Sequence, residues 1–235
     1  MIDSPIRALI LLCCAALTLA AATERAPRPN LLVIVSDDQG YADTGFQGAK
    51  DIPTPHLDRL AAGGVRFTQG YVSHPFCSPT RAGLMTGRYQ QRFGHERNPY
   101  YDPNDHVEGL PLSETLLPAR LKPAGYVTGW IGKWHLGYPP HFGPLRSGYE
   151  EYFGPMSGGV DYFTHLSSSG QHDLWVGEEE YHDEGYLTDL LSQRSVDFVN
   201  RMSEGNAPFF LSLHYTAPHW PWETRAQGEV DPEVA

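Results

Sequence analysis

Apolar runs rich in β-branched residues recur along the chain and alternate with amphipathic stretches. Four of these runs predict β-strands, over residues 30–35, 65–71, 126–131 and 209–213. The first run is continuously apolar, which is typical of a strand buried on both faces of a mostly parallel sheet.

Capping residues and helical periodicity predict four helices. One covers residues 55–62, with Thr54 as its cap, and another opens with Ser78 in the cap position and Pro79 in the first turn. The others cover residues 113–122 and, with Leu187 and Leu191 on one apolar face, a stretch ending near residue 202.

Strands and helices alternate along the chain, so the predicted class is α/β, with a largely parallel central sheet flanked by helices. Residues 137–185 have no sustained periodicity and predict loops and short elements over the sheet edge. The chain stops at Ala235 in a polar stretch without a closing element. We therefore expect a fold truncated before its C-terminal part.

The first residues have the pattern of a secretory signal peptide. Arg7 precedes an apolar run, and Ala20 and Ala22 form an A-x-A-like cleavage site. This predicts a signal peptide over residues 1–22, a domain over residues 23–235, and export to the periplasm or the exterior. No later run approaches the roughly 20 apolar residues of a membrane span, so stable membrane insertion is not expected.

Net charge and cysteine content narrow the range of possible functions. The net charge of −11 over 235 residues argues against a nucleic-acid partner, and any anion site must be positive locally. Of three cysteines, two fall in the signal peptide, which leaves Cys77 unpaired in an oxidising compartment. A buried, small apolar residue is the commoner fate of a free cysteine, so its context must decide.

Chemically active side chains follow each predicted strand. Sites in open α/β sheets form beyond the carboxyl ends of the strands, so these groups should meet at one edge. In chain order they are Asp37 and Asp38, then His74 and Cys77, then Lys133 and His135, and last His219.

Each group also has an ordinary structural interpretation. Asp37 and Asp38 could cap a helix, but as paired hard oxygen ligands they suit Ca²⁺ or Mg²⁺, and no Cys and His cluster has zinc spacing. Cys77 at a helix N-terminus would favour a thiolate and a bound anion, and Arg81 one turn later would share its face. In isolation, Lys133, His135 and His219 could equally be polar residues at strand ends and turns.

Two motifs resemble those of the sulfatase family. Cys77-Ser78-Pro79-Thr80-Arg81, followed by Gly83-Leu84-Met85-Thr86-Gly87-Arg88, resembles the first sulfatase signature, and the segment from Gly125 to His135 resembles the second. The opening from Pro29 and the segment around Pro218 and His219 extend the resemblance over nearly the whole mature chain. It implies an alkaline phosphatase/sulfatase-like fold, of which this chain is the N-terminal part of the catalytic domain.

The resemblance also implies a set of roles. Cys77 is converted to formylglycine by a formylglycine-generating enzyme, and Asp37, Asp38 and the modified Cys77 bind calcium, with magnesium as the alternative. The remaining implied roles are positive charge at the sulfate from Arg81 and Lys133, a base at His135, and a contact to sulfate or the leaving oxygen at His219. The implied substrate is a small-molecule or carbohydrate sulfate ester.

Two features of the family have no match before Ala235, namely a later Asp-Asn metal-ligand pair and a further lysine. The calcium ligands in this chain are therefore incomplete relative to the six to eight oxygens that calcium usually takes. Two alternatives stay open: a phosphoester or phosphonate hydrolase of the same superfamily, and a non-catalytic sulfatase-like remnant.

Overall fold

The computed structural model describes residues 28–100, 102 and 104–226. The predicted signal peptide, residues 1–22, lies outside the described residues. Among the helices of the described part, none combines the length and apolar character needed to cross a bilayer.

One six-stranded sheet organises the fold, in the order β1-β6-β2-β3-β4-β5. The first four strands in this order pair in parallel, and β4 and β5 extend the sheet at the far edge through antiparallel pairing. The strands are β1 (Leu31–Val35), β2 (Val127–Gly132), β3 (Glu151–Gly154), β4 (Trp175–Val176), β5 (Glu179–Glu180) and β6 (Phe209–His214). The predicted α/β class with a largely parallel sheet is confirmed.

Helices cover both faces of the central strands. They are α1 (Pro55–Gly63), α2 (Cys77–Thr86), α3 (Leu117–Leu121) and α4 (Leu187–Ser203), with short 3₁₀ turns at Gly45–Gln47, Gln90–Arg92 and Lys122–Ala124. Trp130 and Phe210 point to the face that carries α2, whereas Ile131 and Leu211 point to the face that carries α4. Because both faces are covered, every side chain of β6 is buried.

The first strand differs from its prediction. Burial alternates along β1, and Leu32 and Ile34 are 48% and 53% exposed, although the sequence predicts a strand buried on both faces. Within the described residues β1 pairs only with β6, and α4 packs on β2, β3 and β6 instead. One face of β1 therefore has no helix over it in this part of the chain.

The strand predicted over residues 65–71 is wrong. This segment is irregular, and Val65, Phe67 and Tyr71 are more than 80% exposed. The apolar pattern suits a strand, but no neighbouring strand in the described part supplies the ladder hydrogen bonds that strand structure requires.

Two helix starts differ from the prediction. The helix predicted from Ser78 begins at Cys77, with Phe76 in the cap position, and the backbone N–H of Ser78 is satisfied by Oδ1 of Asn98 at 3.0 Å. The helix predicted over residues 113–122 is only α3 followed by a 3₁₀ turn. Pro118 has no backbone N–H and fits only the first turn, so the helix cannot begin a full turn earlier.

The stretch over residues 137–185 contains the short elements that its pattern predicts, but one of them belongs to the sheet interior. β3 pairs in parallel with β2, and its residues from Tyr152 to Gly154 are buried. A strand of four residues is too short to be recognised from the periodicity of the sequence.

Candidate active site

Three strand ends and one helix start build the candidate site. Asp37 and Asp38 follow β1, Lys133 and His135 follow β2, and His219 follows β6. Cys77 is the first residue of α2 rather than the end of a strand, so the predicted convergence holds for three strands and the fourth contribution comes from a helix.

The backbone makes this edge compact. The Lys133 N–H donates to the His214 carbonyl at 2.9 Å, and the Asp37 N–H donates to the Ala217 carbonyl at 3.0 Å. At Gly132, with φ of 106°, an added Cβ would lie 1.8 Å from the His214 oxygen, so only glycine allows β2 and β6 to end this close together.

Asp37 is the centre of a buried ionic cluster. Its carboxylate accepts a hydrogen bond from Lys133 Nζ and lies 3.5 Å from Nη2 of Arg81. Burial lowers the pKa of Lys133, as does the nearby Arg81 charge, while Asp37 opposes both effects. A second hydrogen bond, from Arg81 Nη1 to the Lys133 carbonyl at 2.7 Å, fixes the guanidinium. The cluster therefore holds two cations in fixed positions against one carboxylate.

Cys77, His219 and Asp38 form the exposed side of the same site. The thiol of Cys77 is free and half-buried, and it shares a hydrogen bond with His219. Burial raises the pKa of the Cys77 thiol, but His219 and the Lys133 charge lower it by more, so the net shift is downward. Nε2 of His219 lies 3.6 Å from Oδ2 of Asp38. Ligand atoms of Asp37, Cys77 and His219 all lie within 4.8 Å of one another, so the buried ionic cluster and the exposed side belong to one site.

His219 has a defined tautomer. Its Nδ1 contacts the carbonyl of Trp220, which can only accept, so Nδ1 carries a proton and Nε2 faces Cys77 and Asp38. The hydrogen bond with Cys77 raises the pKa of His219, and burial opposes this. Tyr162 fixes the segment by donating its hydroxyl to the His219 carbonyl at 3.0 Å.

His135 is buried near this group, where the charges of Lys133, Arg81 and His219 act on its ring. Its ring packs on Gly158, where an added Cβ would lie 2.4 Å from the ring, and its Nδ1 is buried without a hydrogen bond. Burial, then the charges of Lys133 and Arg81, hold the pKa of His135 well below the ordinary range. His135 is therefore neutral at pH 7.

Three residues that support the site were missed in the sequence. His214, the last residue of β6, accepts a hydrogen bond from Arg81 Nη1 at 2.9 Å, and its ring packs against Trp130 at an interplanar angle of 31°. His95 contacts the Ser78 hydroxyl at 2.6 Å. His214 directly follows a predicted strand, the same signal that singled out the others. No local pattern marks His95 or Asn98, because their contacts are with Ser78, which is 17 and 20 positions away in the sequence.

The buried histidines should make the protein sensitive to acid. Burial, and then the Arg81 charge, lower the pKa of His214 well below its ordinary value. The unfolded chain takes up a proton near pH 6.5 and the folded chain does not, so stability is complete above pH 6.5 and is lost as pH falls below it. We expect a loss of about 1.4 kcal/mol per pH unit for His214 over this window.

Denaturant unfolding from pH 7.5 to pH 5 measures this dependence. His214→Gln should reduce the slope of unfolding free energy against pH relative to the parent protein. An identical slope in the His214 variant and the parent would contradict the assignment.

Comparison with known proteins gives the family. The sulfatase family model matches residues 29–231. The N-acetylgalactosamine-6-sulfatase of Canis lupus familiaris is 38% identical over 229 residues, which are 90% of this chain and 44% of that protein. Arylsulfatase A of Bos taurus is 46% identical over 134 residues, 54% of this chain and 26% of that protein.

Solved structures agree with this relationship. The crystal structure of Ps i-CgsB in complex with k-i-k-neocarrahexaose has a TM-score of 0.78 and 36% identity, covering 88% of this chain and 49% of that one. The structure of BT4656 in complex with its substrate D-glucosamine-2-N,6-O-disulfate has a TM-score of 0.69 and 28% identity, covering 85% and 36%. The chain thus spans less than half the length of the canine and bovine relatives. With nearly all of its residues matched by the family model, this chain belongs to the sulfatase family.

Proposed function

We propose that this chain carries the nucleophile and the positive charges of an exported sulfatase that hydrolyses a sulfate ester. The observation that carries the proposal is the position of Cys77, at the start of α2 and in contact with His219, beside a buried cluster that contains Lys133 and Arg81. A helix N-terminus and two fixed cations suit a reacting anion, although the chain as a whole has a net charge of −11.

Cys77 is the proposed site of conversion to formylglycine by a formylglycine-generating enzyme during export. Once hydrated, the aldehyde supplies two hydroxyls, one to attack sulfur and the other to release sulfate by C–O cleavage. The half-buried thiol is free, as this conversion requires. A serine in the same place would supply one hydroxyl and would remain as a stable sulfate ester.

Asp37 and Asp38 are the proposed ligands of a hard divalent cation, together with the modified residue 77. Asp37 offers a carboxylate oxygen within 4.8 Å of the Cys77 sulfur, and Asp38 lies beside the same group, 3.6 Å from His219. Asp37 is held in place by Lys133 and Arg81, and paired carboxylates suit Ca²⁺, or Mg²⁺ as the alternative. Calcium usually takes about six to eight oxygens, so further ligands are needed beyond these. When bound, the cation would supply Lewis-acid stabilisation to the sulfate oxygens.

Arg81 and Lys133 stabilise negative charge that develops on the sulfate. Both are almost completely buried, and their partners Asp37 and the Lys133 carbonyl prevent reorientation during reaction. Preorganised charge of this kind is usually the largest contribution to catalysis.

His219 and His135 divide the proton transfers. Nδ1 of His219 is held by the Trp220 carbonyl and Nε2 faces residue 77 and Asp38, a position that favours a proton donor to the leaving oxygen or a contact to sulfate. The lowered pKa of His135 keeps its ring neutral and able to accept the proton that is removed as sulfate leaves. The buried, neutral His135 and the more exposed His219 are therefore suited to separate base and acid roles.

A carbohydrate sulfate is the proposed substrate class. The relatives include N-acetylgalactosamine-6-sulfatases, and one structural neighbour was solved with D-glucosamine-2-N,6-O-disulfate described as its substrate. These names support a sulfated sugar as the substrate class but do not identify a particular sugar.

Peptide mass spectrometry tests the nucleophile. Protein coexpressed with a formylglycine-generating enzyme should yield a Cys77 peptide with the mass of the aldehyde in place of the thiol. Activity of this chain alone is not expected, because its metal ligands are incomplete. A converted protein that also carries the further metal ligands should hydrolyse 4-nitrophenyl sulfate faster than 4-nitrophenyl phosphate, and its Cys77→Ala variant should hydrolyse neither.

Three other outcomes would count against the proposal. An unmodified thiol, with a control sulfatase converted in the same cells, would reject the nucleophile. Conversion with preference for the phosphate ester would favour the phosphoester hydrolase. Conversion without hydrolysis of any ester, in protein that carries the further metal ligands, would favour the non-catalytic alternative.

A further inference from the structure

A second group of metal-ligand side chains lies outside the candidate active site. His172 precedes β4, Glu180 lies on β5, and His182 follows it, so all three lie on or beside one hairpin at the sheet edge. An isolated bridge between Leu166 and His172 joins the hairpin to the preceding loop.

The three side chains converge on a small volume. Nδ1 of His172 lies 3.1 Å from Oε1 of Glu180, and Nε2 of His182 lies 3.7 Å from the same oxygen. All three ligand atoms lie within 4.8 Å of one another. A tetrahedral ion with bonds of about 2.0–2.1 Å holds its ligand atoms about 3.3–3.4 Å apart, and the two measured separations bracket that value.

His172 has an unsatisfied nitrogen at this point. Its Nδ1 is buried, and the contact with Glu180 lacks hydrogen-bond geometry, so the nitrogen has no hydrogen-bond partner. Buried polar atoms are normally satisfied, and a bound cation would satisfy this one. Glu180 and His182 are 47% and 72% exposed, which leaves the site open to ions from solvent.

We propose that His172, Glu180 and His182 bind a divalent transition-metal ion of the Zn²⁺ class, with water as a fourth ligand. Two imidazoles and one carboxylate suit zinc and its neighbours, whereas calcium takes oxygen ligands only. The site is therefore distinct in chemistry from the proposed calcium site at Asp37 and Asp38.

The ion would also stabilise the segment around Met156 and Ser157, which contacts His135. Asp173, next to His172, accepts hydrogen bonds from the backbone N–H groups of Met156 and Ser157 at 2.9 and 2.8 Å. The Met156 carbonyl in turn accepts from the His135 N–H at 3.0 Å. A metal that fixes His172 thus stabilises the folded state through the segment that supports His135.

Zinc titration of the purified protein, with excess calcium present, tests the site. We expect Zn²⁺ to bind and to raise the thermal unfolding temperature. Glu180→Gln and His182→Ala should each weaken binding at least about tenfold, since even the loss of an outer-shell partner costs 10–100-fold. Glu179→Gln removes the same charge from the neighbouring exposed position of β5 and should bind zinc as the parent does.

The candidate active site also offers a thiol, a carboxylate and an imidazole, so the two sites must be told apart. Co²⁺ bound through Cys77 would give a thiolate-to-metal charge-transfer band, which a site of two histidines and a glutamate lacks. Zinc binding that survives Glu180→Gln and disappears in Cys77→Ala would overturn the proposal. No zinc binding at all would also overturn it.

Discussion

In converted protein that carries the further metal ligands, replacing Cys77 by serine should reduce turnover of sulfate esters by at least about a thousandfold, as expected for loss of the functional nucleophile. The serine hydroxyl can still attack sulfur and release the alcohol, but it has no second hydroxyl with which to expel sulfate. The variant should therefore accumulate one covalent sulfate per chain. Intact mass spectrometry after incubation with substrate would show a mass increase of one SO₃ group.

The matched control is Cys77→Ala, which should lose both turnover and the adduct. Both substitutions are small changes at a half-buried position in the first turn of α2, so both proteins should fold. Steady turnover by the serine variant at the parent rate would exclude the proposed two-hydroxyl mechanism.

Replacing Asp37 by asparagine should lower the free energy of unfolding by about 3–5 kcal/mol, the usual cost of breaking a buried ion pair. The side chains of Lys133 and Asp37 are 0% and 6% exposed, and Arg81 is 4% exposed. The substitution leaves two buried cations without their carboxylate. Urea unfolding followed by circular dichroism in calcium-free buffer would measure the loss.

Asp38→Asn is the matched control for that measurement. Its side chain is 62% exposed and contacts only His219 among the ion pairs of the described residues, so stability should change by less than about 0.5 kcal/mol. Calcium affinity should fall in both variants if both carboxylates are ligands. Equal destabilisation by the two substitutions would contradict the assignment of Asp37 as the buried centre of the cluster.

Most of the fold was predictable where local pattern and burial coincide. β2, β6 and α4 are long, strongly apolar on the correct faces, and lie within one or two residues of their predicted bounds. Residues 65–71 have the same local pattern as these strands but no pairing partner in the described part of the chain. A strand depends on a neighbour that is remote in sequence, so local pattern alone cannot establish one.

The candidate site was predictable to the extent that its residues follow strand ends or match family motifs. Asp37, Lys133 and His219 follow strands that the structure contains. Cys77 was placed after a predicted strand that the structure lacks, and the family motif identifies it independently, together with Arg81. The pairing of Asp37 with both cations was not predictable, because these residues are 44 and 96 positions apart.

The sequence by itself determined the family, the α/β class and the candidate catalytic and metal-binding residues, because motifs and strand-end positions are local, but it did not reveal the supporting His95, Asn98 and His214. Only the tertiary structure decided that β6 inserts between β1 and β2, which brings His214 onto Arg81. The same holds for the meeting of His172, Glu180 and His182 beside the edge hairpin. Each depends on packing and strand pairing between segments that are distant in the chain. The energies of these contacts depend on both segments, so a short stretch of sequence cannot predict them.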